Sequence, residues 1–155
     1  MATTISLSNL LSVSEIDVSY RPSLKVSERP TIQSSQEAYD VIRPFFEEDL
    51  YYRELMYVIF LARNNSVLGV RKISEGGTSG TVVDPKMIFG PALKANASSV
   101  ILCHNHPSMN CKPSRADITI TKKMKEAGAM LELPVLDHLI ICDENYYSFA
   151  DEGIL

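Results

Sequence analysis

"SSVILCHNHPSMNCKPSRAD", residues 98–117, runs an apolar stretch into two of the chain's three histidines and follows them with a serine and an aspartate. "SVILC" is continuous and partly β-branched, which suits a strand buried on both faces. His104 and His106 then stand at its C-terminal end, where α/β folds place their chemistry. Alternation along an extended chain points both rings the same way. Neutral imidazole is a preferred zinc ligand, and two converging rings supply half of a tetrahedral site. Asp117 is the natural third ligand, because Ser114 begins a helix and a residue in its first turn can face back toward the preceding loop. Taken alone, Ser-x-x-Asp is a capping box. Directly after His-x-His, the same carboxylate can also present one oxygen to a metal. Two histidines, one carboxylate and a water leave a position open, as a catalytic zinc requires.

Outward from this loop the pattern mixes strands and helices. "ELMYVIFLA" (54–62) reads as a strand buried on both faces, turned by "RNNS". Val67 to Ser74 and Gly80 to Val83 read as the next two strands, joined by the glycine-rich "EGGTSG", which lacks the ending of a phosphate loop. Ser34 and Glu37 form a capping box for a helix that Pro44 kinks or ends. Asp84 caps a second helix that opens on Pro85 and reaches about residue 97. A third runs from Ser114 to about Leu131, with Ile118, Met124 and Ala127 as its inner face. "PVLDHLIIC" and "YYSFA" close the chain as strands around "DENY". Hairpins mixed with crossovers predict an α/β fold, a three-layer α-β-α sandwich around a mixed β-sheet. Residues 1–33, rich in Ser, Thr and Pro, read as an N-terminal arm or linker in which "EIDVSY" (15–20) adds an edge strand; 34–155 read as one domain.

The 155 residues suffice for one domain, and 45% hydrophobic content can fill a single core. No apolar run approaches the roughly 20 residues that span a bilayer, and the N-terminus lacks the order of a signal peptide. A cytoplasmic protein without membrane contact is expected. Three cysteines at irregular spacing suggest no disulfide framework and fit a reducing compartment. Cys103 packs in the strand end, while Cys111 in the histidine loop is open to metal competition, to oxidation, or to no role. A net charge of -4 gives no overall attraction for nucleic acid. Lys122, Lys123 and Lys125 are the one compact basic group, and read as a solvated helix face.

His-x-His, seven residues, Ser, two residues and Asp is the spacing of the JAB/MPN metallopeptidase (JAMM) motif. The wording "HNHPS…PS..D", with "VVDPKMIFGPALKANASSVILCHNHPS" and "VLDHLII", resembles the bacterial RadC-like branch of that family over roughly Tyr51 to Asp151. The resemblance implies a cytidine-deaminase-like JAB/MPN fold that binds Zn2+, with His104, His106 and Asp117 as metal ligands. It implies that Ser114 helps hold the tetrahedral intermediate and that an upstream glutamate takes a proton from water. Glu54, at the head of the first strand, matches that glutamate best. Glu75, in the glycine loop, is the second choice, because a base must be held within about 3 Å of its water. Asp137 and His138 read as support behind the ligands. The branch usually has glycine where this chain has Met109, a departure that matters if the position needs positive φ. Residues 1–50 show no helix-hairpin-helix pair of the kind that longer members carry.

The implied activity is zinc-dependent hydrolysis of a peptide bond, or of an isopeptide bond at the tail of a ubiquitin-like protein. Two other readings stay open: a metal-stabilised, non-catalytic module associated with DNA repair or mobile elements, and a nuclease using the same metal. A site with three ligands and a base favours the hydrolase, since a structural zinc takes four protein ligands.

Overall fold

The apolar run after Glu54 forms β1 (Leu55–Leu61), second in a mixed five-stranded sheet in the computed structural model, which describes residues 14–76 and 82–155. The order is β2-β1-β3-β4-β5, where β2 is Val67–Glu75, β3 Ser99–Asn105, β4 Val135–Ile141 and β5 Tyr146–Ser148. β1 pairs antiparallel with β2 and β3, β3 and β4 run parallel, and β5 returns antiparallel on β4. The helices among the described residues are α1 (Ser35–Ile42), α2 (Pro85–Lys94) and α3 (Arg115–Met130). α3 is the crossover that a parallel pair of strands demands.

Strand alternation sorts the core into two faces. Ile59, Leu61, Ile101, Cys103, Leu139 and Ile141 pack with Ala38 and Ile42 of α1. Val58, Phe60, Val100 and Leu102 pack with Ile88 and Phe89 of α2 and Met124 of α3. The result is the α-β-α sandwich expected from the sequence. Each fully buried Leu, Ile or Phe contributes about 1.5–3 kcal/mol, so β1 and β3, buried along most of their length, dominate the stabilisation.

The helix signals act as read, with adjustments. Ser34 accepts from the Glu37 N–H at 3.2 Å, but the Glu37 carboxylate takes the Gln33 N–H (2.6 Å) rather than the Ser34 N–H. Pro44 follows the end of α1, where the chain tightens into a 3-10 turn over Arg43–Phe46. Asp84 accepts from the Lys86 N–H at 2.9 Å, and Pro85 opens α2.

Other expectations are corrected. Residues 15–20 form no strand; Tyr20 instead donates its hydroxyl to the Leu68 carbonyl at 2.6 Å. Of the strand expected over 80–83, Gly80 and Thr81 lie outside the described residues, and Val82 and Val83 lead into α2 without pairing. Val82 is exposed, so it has no apolar layer to join. Ile118 is also exposed, because the inner stripe of α3 is Asp117, Thr121, Met124 and Gly128. Asp117 sets the phase of that stripe, and the next residue is turned about 100° away from it. The cysteines are not all reduced: Cys111 and Cys142 form a disulfide across a separation of 31 residues, with Cα atoms 6.1 Å apart. Distant in sequence, they follow β3 and β4, whose parallel pairing brings their C-terminal ends together. No helix among the described residues is long and apolar enough to cross a membrane.

At its far end α3 presses against the chain that leads into β4. A Cβ added at Gly128 would lie 2.3 Å from the Leu133 carbonyl oxygen, which accepts no rearrangement by side-chain rotation alone. Helix propensity by itself favours Gly128→Ala by about 1 kcal/mol. Overpacking against fixed backbone reverses the sign, and we expect a net loss of about 1–3 kcal/mol in urea unfolding. An unchanged or raised midpoint would show that the α3–β4 turn yields easily.

Candidate metal centre

β3 presents His104 on the face covered by α3, and His106 follows just beyond the strand. Asp117 arrives on the same spot from the first turn of α3. His104 Nε2 lies 3.0 Å from His106 Nε2. Asp117 Oδ1 is 3.1 Å from the first of these nitrogens, and its Oδ2 is 3.2 Å from the second. These three side chains are the metal-ligating group that comes together among the described residues, with ligand atoms all within 4.8 Å of one another.

Hydrogen bonds behind the rings assign their tautomers. Thr121 gives its only hydroxyl proton to the Asp117 carbonyl at 2.6 Å, since a carbonyl can only accept. Its oxygen must therefore accept from His138 Nδ1, also at 2.6 Å. Full burial, and next the proximity of His104, push His138 well below the ordinary histidine range, so it is neutral and its Nε2 is bare. That nitrogen accepts from His104 Nδ1 at 2.7 Å. With Nδ1 committed to His138, His104 turns its Nε2 toward the cluster. His106 Nδ1 likewise donates to the Asn110 carbonyl at 2.6 Å, turning its own Nε2 inward.

Two ring nitrogens and a carboxylate thus face one another at 3.0–3.2 Å. Such a cluster needs positive charge at its centre. Burial would raise the Asp117 carboxyl, but its contacts with His104 and His106 outweigh this and hold it far below its usual range. Burial would lower His106, yet Asp117 and the Asn110 carbonyl leave it raised. The donor chemistry, two imidazoles and one carboxylate with the outer ring nitrogens occupied, fits zinc.

Ser114 is the N-cap of α3: its Oγ accepts from the Asp117 N–H at 3.1 Å and donates to Asp117 Oδ2 at 2.7 Å. Its own N–H reaches the same oxygen at 2.6 Å. Glu54, immediately before β1, lines with these residues a cleft of about 680 Å³. Glu75 does not line the cleft; it closes β2, paired with Lys72 and, at 3.1 Å, with Arg53. Bonding to Lys72 above all keeps its carboxyl lowered and ionised. Of the two residues read as support, His138 touches a ligand. Asp137 faces the other side of the sheet, where it accepts from Ser148 Oγ (2.7 Å) and the Ala150 N–H (3.0 Å) and anchors β5. Met109 does occupy positive φ, 61°.

Two positioning residues escaped the sequence reading. Thr121, one turn after Asp117, sits in the tautomer chain just described. Asn105, between the histidines, points to the opposite face, fully buried. Its Oδ1 accepts from the Leu55 N–H at 2.8 Å, and its Nδ2 donates to the carbonyls of Leu50 and Arg53, both at 2.9 Å. The segment that carries Glu54 is thereby fastened to the strand that carries the histidines. A buried amide in an apolar strand must find partners, and that was the available signal.

A family model for a RadC-like JAB domain matches residues 32–154. A UPF0758 protein of Flavobacterium johnsoniae is 46% identical over 123 residues, covering 79% of this chain and 53% of its own length. One from Porphyromonas gingivalis is 38% identical over 135 residues, 86% of this chain and 59% of the relative. Another from Clostridium perfringens is 39% identical over 132 residues, 84% and 58% respectively. The chain thus spans little more than half the length of these relatives.

Asn105→Ala would strand three backbone groups at once, two of them in fully buried bonds. A loss of about 2–4 kcal/mol is expected in denaturant unfolding, more than an ordinary polar truncation gives. A loss below about 1 kcal/mol would mean that water replaces the amide and that Glu54 is held by other contacts.

Proposed function

The chain belongs to the RadC-like JAB domain family, and from that membership and the geometry of the cluster we propose that it is a zinc-dependent hydrolase of peptide or isopeptide bonds. The observation that carries this is the tautomer chain, which turns both Nε2 atoms and the Asp117 carboxylate onto one point. His104, His106 and Asp117 would hold the ion. When bound, zinc would supply Lewis acidity and lower the pKa of a coordinated water toward about 7.

The remaining steps belong to the chain's own residues. Glu54 takes the proton of the attacking water and later delivers it to the leaving amine, as a carboxylate in a cleft beside a cationic centre can. Ser114 fixes Asp117 through its cap and, as charge develops on the scissile oxygen, turns its hydroxyl from the carboxylate toward that oxygen. His138 and Thr121 hold His104 in the tautomer that ligation needs. An extended peptide, or the flexible tail of a ubiquitin-like protein, suits an open cleft lined by both polar and apolar side chains.

Nucleic acid is a poorer substrate class for this surface. The three lysines of α3 are exposed, and the net charge is -4. We expect weak duplex binding that vanishes near physiological salt. Submicromolar binding that persists there, and is lost when Lys122, Lys123 and Lys125 are replaced by Gln, would favour a DNA-associated module instead.

Elemental analysis of the purified chain should find about one zinc, lost or weakened by tenfold or more in His104→Ala. Glu54→Gln should keep zinc and melting temperature while abolishing cleavage in a peptide-library screen. Residual cleavage within about tenfold of the parent chain would exclude Glu54 as the base.

A further inference from the structure

We propose that the Cys111–Cys142 bridge is a positioning element of the metal centre, through which zinc affinity depends on the thiol–disulfide state of the chain; this rests on the reading of the cluster as a metal site. The loop between β3 and α3 contains no regular structure over residues 107–113. Several of its hydrogen bonds are local: the Met109 N–H to the His106 carbonyl at 2.9 Å, and the Lys112 N–H to Asn110 Oδ1 at 3.1 Å. What ties it to the sheet is the packing of Met109 against the α1-side core and the covalent bridge to Cys142. Cys142 is a firm anchor. It directly follows β4, is 2% exposed, and donates its N–H to the Asn145 carbonyl at 2.9 Å.

The other end of the bridge matters most. Cys111 is covalently joined to Asn110, whose carbonyl accepts the His106 Nδ1 proton at 2.6 Å. The bridge therefore restrains the very group that turns His106 Nε2 toward Asp117. Met109, held at φ 61°, adds a reason why the loop needs restraint, since a non-glycine residue is disfavoured in that conformation.

Cys111 is half-buried and its sulfur is the one a solvent thiol can approach. A low-molecular-weight thiolate attacks Cys111 Sγ, the S–S bond breaks, and Cys142 leaves as a thiolate that takes a proton. A second small thiol attacks the mixed disulfide and releases Cys111. In sum, the protein disulfide gains two electrons and two protons, and two small thiols become one small disulfide. The Asn110 carbonyl is then restrained by the loop's own contacts, the Met109 packing and the Cys111 Sγ contact to Asn145 Oδ1 (3.3 Å), without the covalent tie, and weakening such a partner behind a ligand lowers metal affinity by about tenfold or more.

The test compares the whole chain in its oxidised form and after reduction by a trialkylphosphine, with intact mass reporting the state of the bridge. Zinc affinity is read by competition with a chromophoric chelator, and amide exchange is followed in the metal-free protein. Reduction should raise the Kd for zinc about tenfold or more and speed exchange of the Met109 amide, while the Leu102 amide in β3 is unchanged. Cys142→Ser should show the weaker affinity with or without phosphine. Equal affinity in the two redox states, a Met109 amide indifferent to reduction, or failure of the two thiols to pair under oxidant would each overturn the proposal. Absence of zinc binding in the oxidised chain would instead overturn the metal reading, and the proposal with it.

Discussion

The 2.7 Å hydrogen bond between His104 Nδ1 and His138 Nε2 is the constraint on which the arrangement turns. It requires β3 and β4 to be parallel neighbours, with both rings on the face that α3 covers. It also requires one tautomer in each ring, since two bare or two protonated nitrogens at that distance would repel. Thr121 settles the choice, and Thr121 reaches His138 only because α3 crosses the sheet with Asp117, Thr121, Met124 and Gly128 inward. The topology of the sandwich and the proton positions at its centre are therefore one problem. A crossover of the other face, or a slip of one residue in the β3–β4 register, would leave His104 without its partner and reverse the nitrogen it offers.

The opposite face of β3 does a different job with the same period of two. His104 and Asn105 are adjacent, and alternation sends one toward α3 and the other toward the segment before β1. Asn105 thereby converts the edge of a strand into a bracket for the backbone around Glu54. Backbone groups in a non-helical segment need such partners when buried, so the bracket stabilises the fold whatever the chemistry. That it also fixes the residue proposed as base is a consequence of sequence adjacency to Leu55. By contrast Glu75, at the matching end of β2, spends its charge on Arg53 and Lys72. Glu75 thus lies outside the cleft that Glu54 lines, its carboxylate committed to two cations.

How far the sequence reveals this depends on the range of each interaction. Strands β1, β3 and β4 were legible as apolar runs, and the starts of the three helices as short-range capping patterns at Ser34, Asp84 and Ser114. The convergence of His104, His106 and Asp117 was legible because a strand end and a helix start are joined by a short loop. Long-range pairings were not. Nothing within reach of Cys111 in the chain announces Cys142, and it takes the parallel pairing of β3 with β4 to bring them together. Thr121 looked like a helix residue of no distinction, because its partner His138 lies 17 residues on, in another element. Ile118 misleads for the opposite reason: its apolar side chain points to an inner position, although the buried aspartate beside it fixes the phase of the helix. Residues 15–20 alternate like a strand, yet alternation supplies no partner, and the chain there is held by the Tyr20 hydroxyl instead.

Asp117 shows why folding and chemistry cannot be separated at this site. Its Oδ2 accepts the N–H and the hydroxyl of Ser114, satisfying donors that a helix N-terminus leaves without partners. Its Oδ1 faces His104 Nε2, and its carbonyl receives Thr121 and so fixes the His138 tautomer. One residue closes the cap, supplies a ligand and anchors the chain of protons behind another ligand. The cap orients the carboxylate before any cation arrives, so little ordering is left to be done on binding, and a preorganised site binds more tightly for that reason. The capping box and the ligand, which compete as readings of Ser-x-x-Asp, are the same geometry seen from its two oxygens.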